Sequence, residues 1–190
     1  AGTCDTCGGA KTMAVQPGNP NVVWAATNNG VQVSRDGGKT WSGNLIGRYT
    51  GRSETLGVTL QPGDPDTVLG ASAESGIFRS TDGGETWVQA NTGLGTQELH
   101  QVTFAPSNPD VAYVATHEGV YRSDDAGETW AARSQGLKYT FTTPIAVDPR
   151  NEDVVFVGSS SEVYTTHPAH FHGGLHEGEG LYKSTDGGQN

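Results

Sequence analysis

The chain has 190 residues, 11 Lys and Arg against 21 Asp and Glu, and a formal net charge of −10. This balance argues against nucleic acid as a partner, because neutralising phosphates requires clustered basic side chains. It also argues against an anionic membrane surface, and no apolar run approaches the roughly 20 residues of a membrane-spanning helix. The length fits one domain.

Residues 1–10 form an N-terminal segment that holds both cysteines of the chain, Cys4 and Cys7, in the sequence Cys-Asp-Thr-Cys. One such pair cannot complete a zinc site by itself. A local or interchain disulfide, two free thiols, and metal or redox chemistry all stay open, and a disulfide would fit an extracytoplasmic location. We expect no signal peptide in the sequence, although Ala1 could follow a removed one.

Residues 11–190 contain four repeats. Their first prolines, Pro17, Pro62, Pro106 and Pro149, recur every 43 to 45 residues. Self-similarity at this period indicates a propeller or a solenoid. The repeats cover approximately 11–46, 55–92, 99–135 and 142–190, and the fourth carries a His-rich insert at 161–179.

Each repeat has four short segments that the sequence predicts as β-strands, here called A to D. In the second repeat they are Leu56–Gln61, Thr67–Ser72, Gly76–Thr81 and Thr86–Gln89. Turn residues separate them, and no stretch has a sustained 3.6-residue period, so we expect almost no helix.

The pattern Ser-x-Asp-x-Gly-x-Thr-Trp falls between strands C and D. Its Asp can accept backbone hydrogen bonds, one Gly supplies a positive φ, and the Trp should begin strand D and pack against its own or the next blade. The fourth copy stops before its Trp, which favours a piece of a larger ring. The structural positions are Ser34, Asp36, Gly38, Trp41, Ser80, Asp82, Gly84, Trp87, Ser123, Asp125, Gly127, Trp130, Ser184, Asp186 and Gly188.

This pattern resembles the Asp-box (BNR-type) repeat of sialidases, xyloglucanase-type glycosidases, sortilin-type receptors and photosystem assembly propellers. The resemblance covers nearly the whole chain. It implies an all-β fold, a β-propeller of four-stranded antiparallel blades with about four blades present, and a secreted or periplasmic location. It also implies that the boxes lie on the face away from any ligand. It says little about activity, because unrelated functions share the motif.

The B–C and D–A connections of a propeller open on the face opposite the boxes, so ligand-binding residues are expected there. The candidates are Arg48, Tyr49, Arg52, Glu54, Glu74, Glu98, His100, His117 and Glu118. Two of them, Arg48 and Arg52, could hold a carboxylate or phosphate. The couple of Tyr49 and Glu54 resembles that of sialidases, but the Arg-Ile-Pro element of that family is missing. The four glutamates include candidates for the carboxylate pair of a glycosidase.

Four histidines lie within ten positions of the insert: His167, His170, His172 and His176. Neutral imidazoles suit zinc or copper, so a divalent metal site is one interpretation, with His117 contributed by the neighbouring blade. A solvated polar loop and a surface that recognises a sugar or a partner are the alternatives. By this mapping all six histidines of the chain lie on one face.

The sequence therefore favours a non-catalytic binding or assembly module that recognises a protein or carbohydrate, with further blades from the same or another chain. A glycoside hydrolase fragment, with xyloglucanase-like or sialidase-like chemistry, is the first alternative. A metal-binding propeller is the second. No catalytic residue can be assigned from the sequence.

Overall fold

The computed structural model describes residues 9–42, 46, 55–160 and 180–190. This part of the chain contains fourteen β-strands and no helix, which confirms the all-β prediction. The strands are β1 (Ala10–Val15), β2 (Val23–Thr27), β3 (Gly30–Ser34), β4 (Thr55–Gln61), β5 (Asp64–Ser72), β6 (Gly76–Ser80), β7 (Val88–Gln89), β8 (Leu99–Ala105), β9 (Asn108–Thr116), β10 (Gly119–Ser123), β11 (Ala131–Ala132), β12 (Phe141–Asp148), β13 (Asn151–Ser160) and β14 (Gly180–Ser184).

The strands form four antiparallel sheets, one per repeat, and each sheet is a meander in chain order. We call these sheets blades one to four. Blade one is β1-β2-β3, blade two is β4-β5-β6-β7, blade three is β8-β9-β10-β11, and blade four is β12-β13-β14. Strand D is only two residues long in blades two and three, and it begins one residue after the box tryptophan rather than at it.

Adjacent blades pack face to face, and strand pleating explains how one strand serves two interfaces. Successive side chains of a strand point to opposite faces. In β9, Ala112 and Val114 join the core shared with blade two, whereas Val111 and Tyr113 join the core shared with blade four. A third core, around Val31 and its neighbours, lies between blades one and two.

The box tryptophans of blades two and three connect each of these blades to the blade before it. The indole Nε1 of Trp130, in blade three, donates to Ala90 O of blade two at 2.9 Å, and its backbone N–H donates to Thr92 O at 2.9 Å. Trp87 of blade two meets Trp24 of blade one edge to face, with ring centroids 6.1 Å apart. The expectation that these rings pack on their own or the next blade holds for contacts within the blade, such as the bond from Trp87 Nε1 to Gly84 O at 3.1 Å. The expected alternative of the next blade was wrong, because the contacts between blades go to the preceding one.

The Asp box is a closed hydrogen-bonded turn. In blade two, Ser80 Oγ donates to Asp82 Oδ1 at 2.7 Å and accepts from Gly84 N at 2.9 Å. The Thr86 hydroxyl donates to Asp82 Oδ2 at 2.6 Å. Asn190 holds the threonine position in the fourth box and donates from Nδ2 to Asp186 Oδ2 at 2.9 Å. These bonds stabilise the ionised carboxylate, and they lower the pKa of Asp36, Asp82 and Asp186 to about 2.

Every box also bonds to the beginning of strand B in its own blade. Gly83 N donates to Asp66 O at 2.9 Å, and Ala126 N donates to Asp110 O at 2.8 Å in the next blade. The boxes and the A–B hairpins therefore share one face, which we call the box face. The B–C and D–A connections lie at the other ends of the same strands and form the opposite face.

Candidate functional site

The described part of the chain includes five of the predicted ligand-binding residues: Glu74, Glu98, His100, His117 and Glu118. The remaining predicted residues lie outside the described ranges. They are Arg48, Tyr49, Arg52, Glu54, the insert histidines His167, His170, His172 and His176, and the cysteines Cys4 and Cys7.

Three of the five come together on the opposite face with an aromatic ring. His100 and His117 have ring centroids 4.6 Å apart, and each centroid lies 4.8 Å from that of Phe141. His117 Nδ1 lies 2.8 Å from Glu98 Oε2. We call Glu98, His100, His117 and Phe141 the imidazole cluster. Its members come from three connections: the end of the D–A segment into blade three, the B–C hairpin of blade three, and the start of blade four.

Buried threonines hold the cluster in place. His100 Nδ1 bonds to Thr142 O, at the start of β12. The hydroxyl of Thr142 lies 3.0 Å from both Thr116 O and Gly119 O, and it accepts from Thr116 N at 3.1 Å. These bonds tie blade four to the B–C hairpin that carries His117, so the relative position of the two imidazoles is set by a buried threonine and the backbone around it rather than by surface side chains.

The two imidazoles sit in different environments. Burial lowers the pKa of His100 below its ordinary value of 6.5, and the charge of His117 acts in the same direction, although the bond to Thr142 O and the charge of Glu98 oppose it. The His117 side chain is 29% exposed and faces the 59% exposed Glu98. The cluster therefore presents a neutral, half-buried ring beside an accessible imidazole–carboxylate pair.

The other two described candidates, Glu118 and Glu74, are not in contact with Glu98 or His100 through any described side-chain bond. Glu118 is exposed next to His117, and its carboxylate lies near Gly95 and the Tyr121 hydroxyl, which accepts from Gly95 N at 3.2 Å. Glu74 is exposed in the B–C turn of blade two.

Phe141 itself is buried, at 8% exposure, so the accessible part of the cluster is the His117 imidazole with the Glu98 carboxylate. An imidazole beside a carboxylate can stack on a planar group and accept hydrogen bonds from it.

Sequence reasoning missed Phe141 and Thr142. Both occupy the first positions of strand A in blade four, which follow a D–A connection in the same way that His100 does in blade three. The equivalent position of these residues in the repeat is the sequence signal that could have identified Phe141 and Thr142.

The described residues contain no group of three or more His, Cys, Asp or Glu side chains that could hold a metal ion. Within those same ranges, no helix is long and apolar enough to cross a membrane.

Solved structures with a similar fold are β-propellers. The GH74 enzyme of Niastella koreensis is 22% identical with a TM-score of 0.74, and the match covers 94% of this chain and 28% of that chain. The GH74 xyloglucanase of Xanthomonas campestris is 18% identical with a TM-score of 0.65, covering 97% and 30%. YCF48 from Cyanidioschyzon merolae is 18% identical with a TM-score of 0.56, covering 80% and 53%. This chain thus spans between about a quarter and about half of the proteins it matches, and the likeness shows the fold.

No curated protein sequence gives a significant match. The model of the BNR/Asp-box repeat matches residues 32–42, over the first box. The Sortilin-Vps10 model, described as sortilin, neurotensin receptor 3, matches residues 75–190. That range is more than half of the sequence and includes the imidazole cluster, so the chain belongs to the Sortilin-Vps10 family.

Proposed function

We propose that this chain is part of a non-catalytic binding propeller that recognises a protein or glycan through the face opposite the Asp boxes. The observation that carries the proposal is the imidazole cluster, in which Glu98, His100, His117 and Phe141 meet at the junction of blades three and four. On the box face, in contrast, the Asp carboxylates accept hydrogen bonds from within their own turns.

The chemistry of the cluster suits recognition. The partly exposed His117 ring packs against the buried Phe141 ring and can stack on a ligand, and the carboxylate of Glu98 can accept hydrogen bonds from amides, hydroxyls or a cationic group. Its position between two blades lets a ligand contact both. Sites of this kind, with a few polar groups placed beside aromatic rings, are typical of binding surfaces in proteins.

The names of the relatives favour a peptide or protein ligand over a sugar. The matching family is described by sortilin, neurotensin receptor 3, and one of the similar structures is YCF48 bound to D1 peptide. We further propose a secreted or periplasmic location, which agrees with a sortilin-type propeller and would suit a disulfide between Cys4 and Cys7.

A glycoside hydrolase is the second candidate, and the match to GH74 enzymes over most of this chain favours it. A glycosidase of the common type needs two carboxyl groups about 5–9.5 Å apart. In the described part of this chain, Glu98 is engaged by His117, and Glu74, Glu98 and Glu118 belong to different connections. The fourth glutamate proposed for the pair, Glu54, lies outside the described residues. The proposed zinc or copper site at the insert is a third candidate, and it rests on sequence alone.

The experiment first identifies ligands and then measures which face of the propeller binds them. The 190-residue chain is screened against a displayed peptide library and a glycan array, and one ligand from each positive screen is measured with single variants. Glu98→Ala and His117→Ala should weaken binding about tenfold or more, since each removes a direct contact. Glu85→Ala is the matched control, because Glu85 is an exposed glutamate on the box face, and it should change affinity less than about twofold.

Two results would overturn the proposal. The first is a ligand whose affinity falls with Glu85→Ala and not with the cluster variants. The second is turnover of a xyloglucan oligosaccharide by the wild-type chain that is lost in Glu54, Glu74, Glu98 or Glu118 variants, which would support the hydrolase instead.

A further inference from the structure

The B–C hairpin of blade one holds the one Asn-Gly step of the sequence, Asn29-Gly30. Asn29 is exposed in the loop of the hairpin, on the face opposite the boxes, whereas Thr27 and Gly30 at the ends of the loop are buried. The side-chain amide carbon of an asparagine is an electrophile that the next backbone nitrogen can attack. At Asn29, solvent can reach the residue on which this reaction would occur.

The residue that follows an asparagine decides how easily this attack proceeds. Glycine favours it, because glycine has no Cβ to hinder the approach of its nitrogen to the side chain. Proline prevents it, because proline has no backbone N–H to lose. The repeats place proline after the turn residues Asn19 and Asn108. The glycine after Asn29 therefore distinguishes this residue chemically from the asparagines of the repeated turns.

The boxes contain Asp-Gly steps, and their hydrogen bonds oppose the corresponding reaction. In blade two, Asp82 precedes Gly83, and Asp82 Oδ1 accepts from Thr86 N at 2.9 Å. The Thr86 hydroxyl donates to Asp82 Oδ2 at 2.6 Å. These bonds keep the carboxylate ionised, with a pKa of about 2, and an ionised carboxylate resists attack by a backbone nitrogen. The box steps are therefore protected by the same bonds that close the turn.

We propose that Asn29-Gly30 is a site of spontaneous deamidation in the B–C hairpin of blade one. The Gly30 nitrogen bonds to Asn29 Cγ, and the bond from Cγ to Nδ2 breaks. The proton of the Gly30 nitrogen leaves with the amide group as ammonia, and a cyclic imide is formed. Water then opens the imide at either of its carbonyl carbons and gives aspartate or isoaspartate. Each event adds one negative charge to the formal net charge of −10.

The two products should affect the hairpin differently. The equivalent hairpin of blade three carries Glu118 at the position of Asn29, and Glu118 N donates to Thr116 Oγ1 at 2.9 Å just as Asn29 N donates to Thr27 Oγ1 at 3.1 Å. An aspartate therefore fits this turn. An isoaspartate adds one carbon to the main chain between Thr27 and Gly30, so it disturbs their pairing and the bond from Thr27 Oγ1 to Gly30 O at 2.9 Å.

The test incubates the purified 190-residue chain at mildly alkaline pH and follows each asparagine by peptide mass spectrometry. Deamidation at Asn29 should be about tenfold or more faster than at Asn28 or Asn91, because the following glycine leaves the most room for the attack. Ion-exchange chromatography should show a form with one additional negative charge. Asn29→Gln should not produce this form, since its longer side chain closes a larger ring less readily. A rate at Asn29 no higher than at Asn28 or Asn91 would overturn the proposal.

Asp82→Asn is the matched control for the environment of the step. It places an Asn-Gly step in the box of blade two, where the side-chain oxygen can still accept from Thr86 N. Position 82 should deamidate more slowly than Asn29, and an equal or higher rate would overturn the assignment of Asn29 as the modified position.

Thermal unfolding distinguishes the two products. The isoaspartate form, separated by chromatography, should have a Tm about 3 °C lower than the unmodified chain, since it loses a hydrogen bond of the hairpin. Asn29→Asp should change Tm by less than about 1 °C. Equal Tm values for the isoaspartate form and Asn29→Asp would overturn the effect proposed for the lengthened main chain. These measurements involve no ligand, so their results are independent of the proposed binding function.

Discussion

Arg122 of blade three donates from Nη1 to Asp153 Oδ1 of blade four at 2.5 Å. The same nitrogen donates to the Tyr113 hydroxyl at 2.8 Å, and Nε donates to Asp124 Oδ1 at 2.7 Å. Only 14% of the Arg122 side chain is exposed. Burial alone would lower its pKa, but the hydrogen bonds to Asp153 and Asp124 raise the pKa above the ordinary value. One guanidinium thus connects the box face of two blades.

Replacing this guanidinium should destabilise the fold. We expect Arg122→Met, which keeps the apolar stem, to lower the free energy of unfolding by about 2 kcal/mol, because partly buried acceptors lose a charged donor. Urea denaturation measures the change. Arg35→Met is the control, since Arg35 also reaches the next blade, through Gly83 O at 2.8 Å, but is 53% exposed. Its loss should cost less than about 1 kcal/mol, and an equal effect of both would contradict the role given to burial.

The two glycine positions of the box should tolerate a methyl group differently. A Cβ on Gly127 would lie 2.7 Å from Leu69 Cδ2, at a φ of +86°. A Cβ on Gly83 would have its closest contact at 3.3 Å, with Asp66 Oδ1, and Ala126 already adopts the equivalent conformation at a φ of 56°. Gly127→Ala should therefore lower the free energy of unfolding by about 3 kcal/mol, and Gly83→Ala by about 1 kcal/mol. The reverse order in denaturation experiments would refute this assignment.

The Asp boxes should make the fold sensitive to strong acid. Hydrogen bonds, with the Thr86 hydroxyl as the largest contributor, hold the pKa of Asp82 at about 2 against an ordinary value of 3.8. A group with a depressed folded pKa contributes stability above its unfolded pKa and loses it as the pH falls through the folded value. Tm should drop steeply between about pH 4 and pH 2. Asp82→Asn should have a shallower drop over that window, as recorded by circular dichroism.

The imidazole cluster should respond to milder acid. Because burial holds the pKa of His100 below 6.5, the unfolded chain binds this proton first as the pH falls. The contribution of neutral His100 is present above about pH 6.5 and is lost as the pH falls toward its folded pKa. NMR titration should show His100 protonating below pH 6.5. His117→Ala should raise the pKa of His100, since it removes an unfavourable electrostatic interaction and opens the site to water. A further decrease of that pKa would contradict the close contact of the two imidazoles.

The local features of the fold could be predicted from sequence because they depend on neighbours in the chain. The strands of blade two agree with the prediction within a few residues, since Pro62-Gly63 and the Asp82-Gly83-Gly84 turn mark their ends. The side on which each box tryptophan packs depends on how one sheet is rotated against the next. Local turn chemistry carries no information about that rotation.

The candidate site was predictable only in part for the same reason. Histidines stand out in a sequence, so His100 and His117 were found. Phe141 joins them only because Thr142 docks strand A of blade four on the B–C hairpin of blade three. Such a contact comes from the packing of two repeats and leaves no motif in either one.

Because the box tryptophan of blade three packs on blade two, the order of synthesis on the ribosome determines when the core of blade two can close. The core of blade two, around Leu69 and Ile77, is sealed by an indole that is 40 residues downstream of its acceptor, Ala90. Translation must therefore deliver nearly a whole additional repeat before the earlier one can exclude water. We therefore expect the most recently synthesised blade to keep one apolar face exposed to water until the box tryptophan of the next blade has been made.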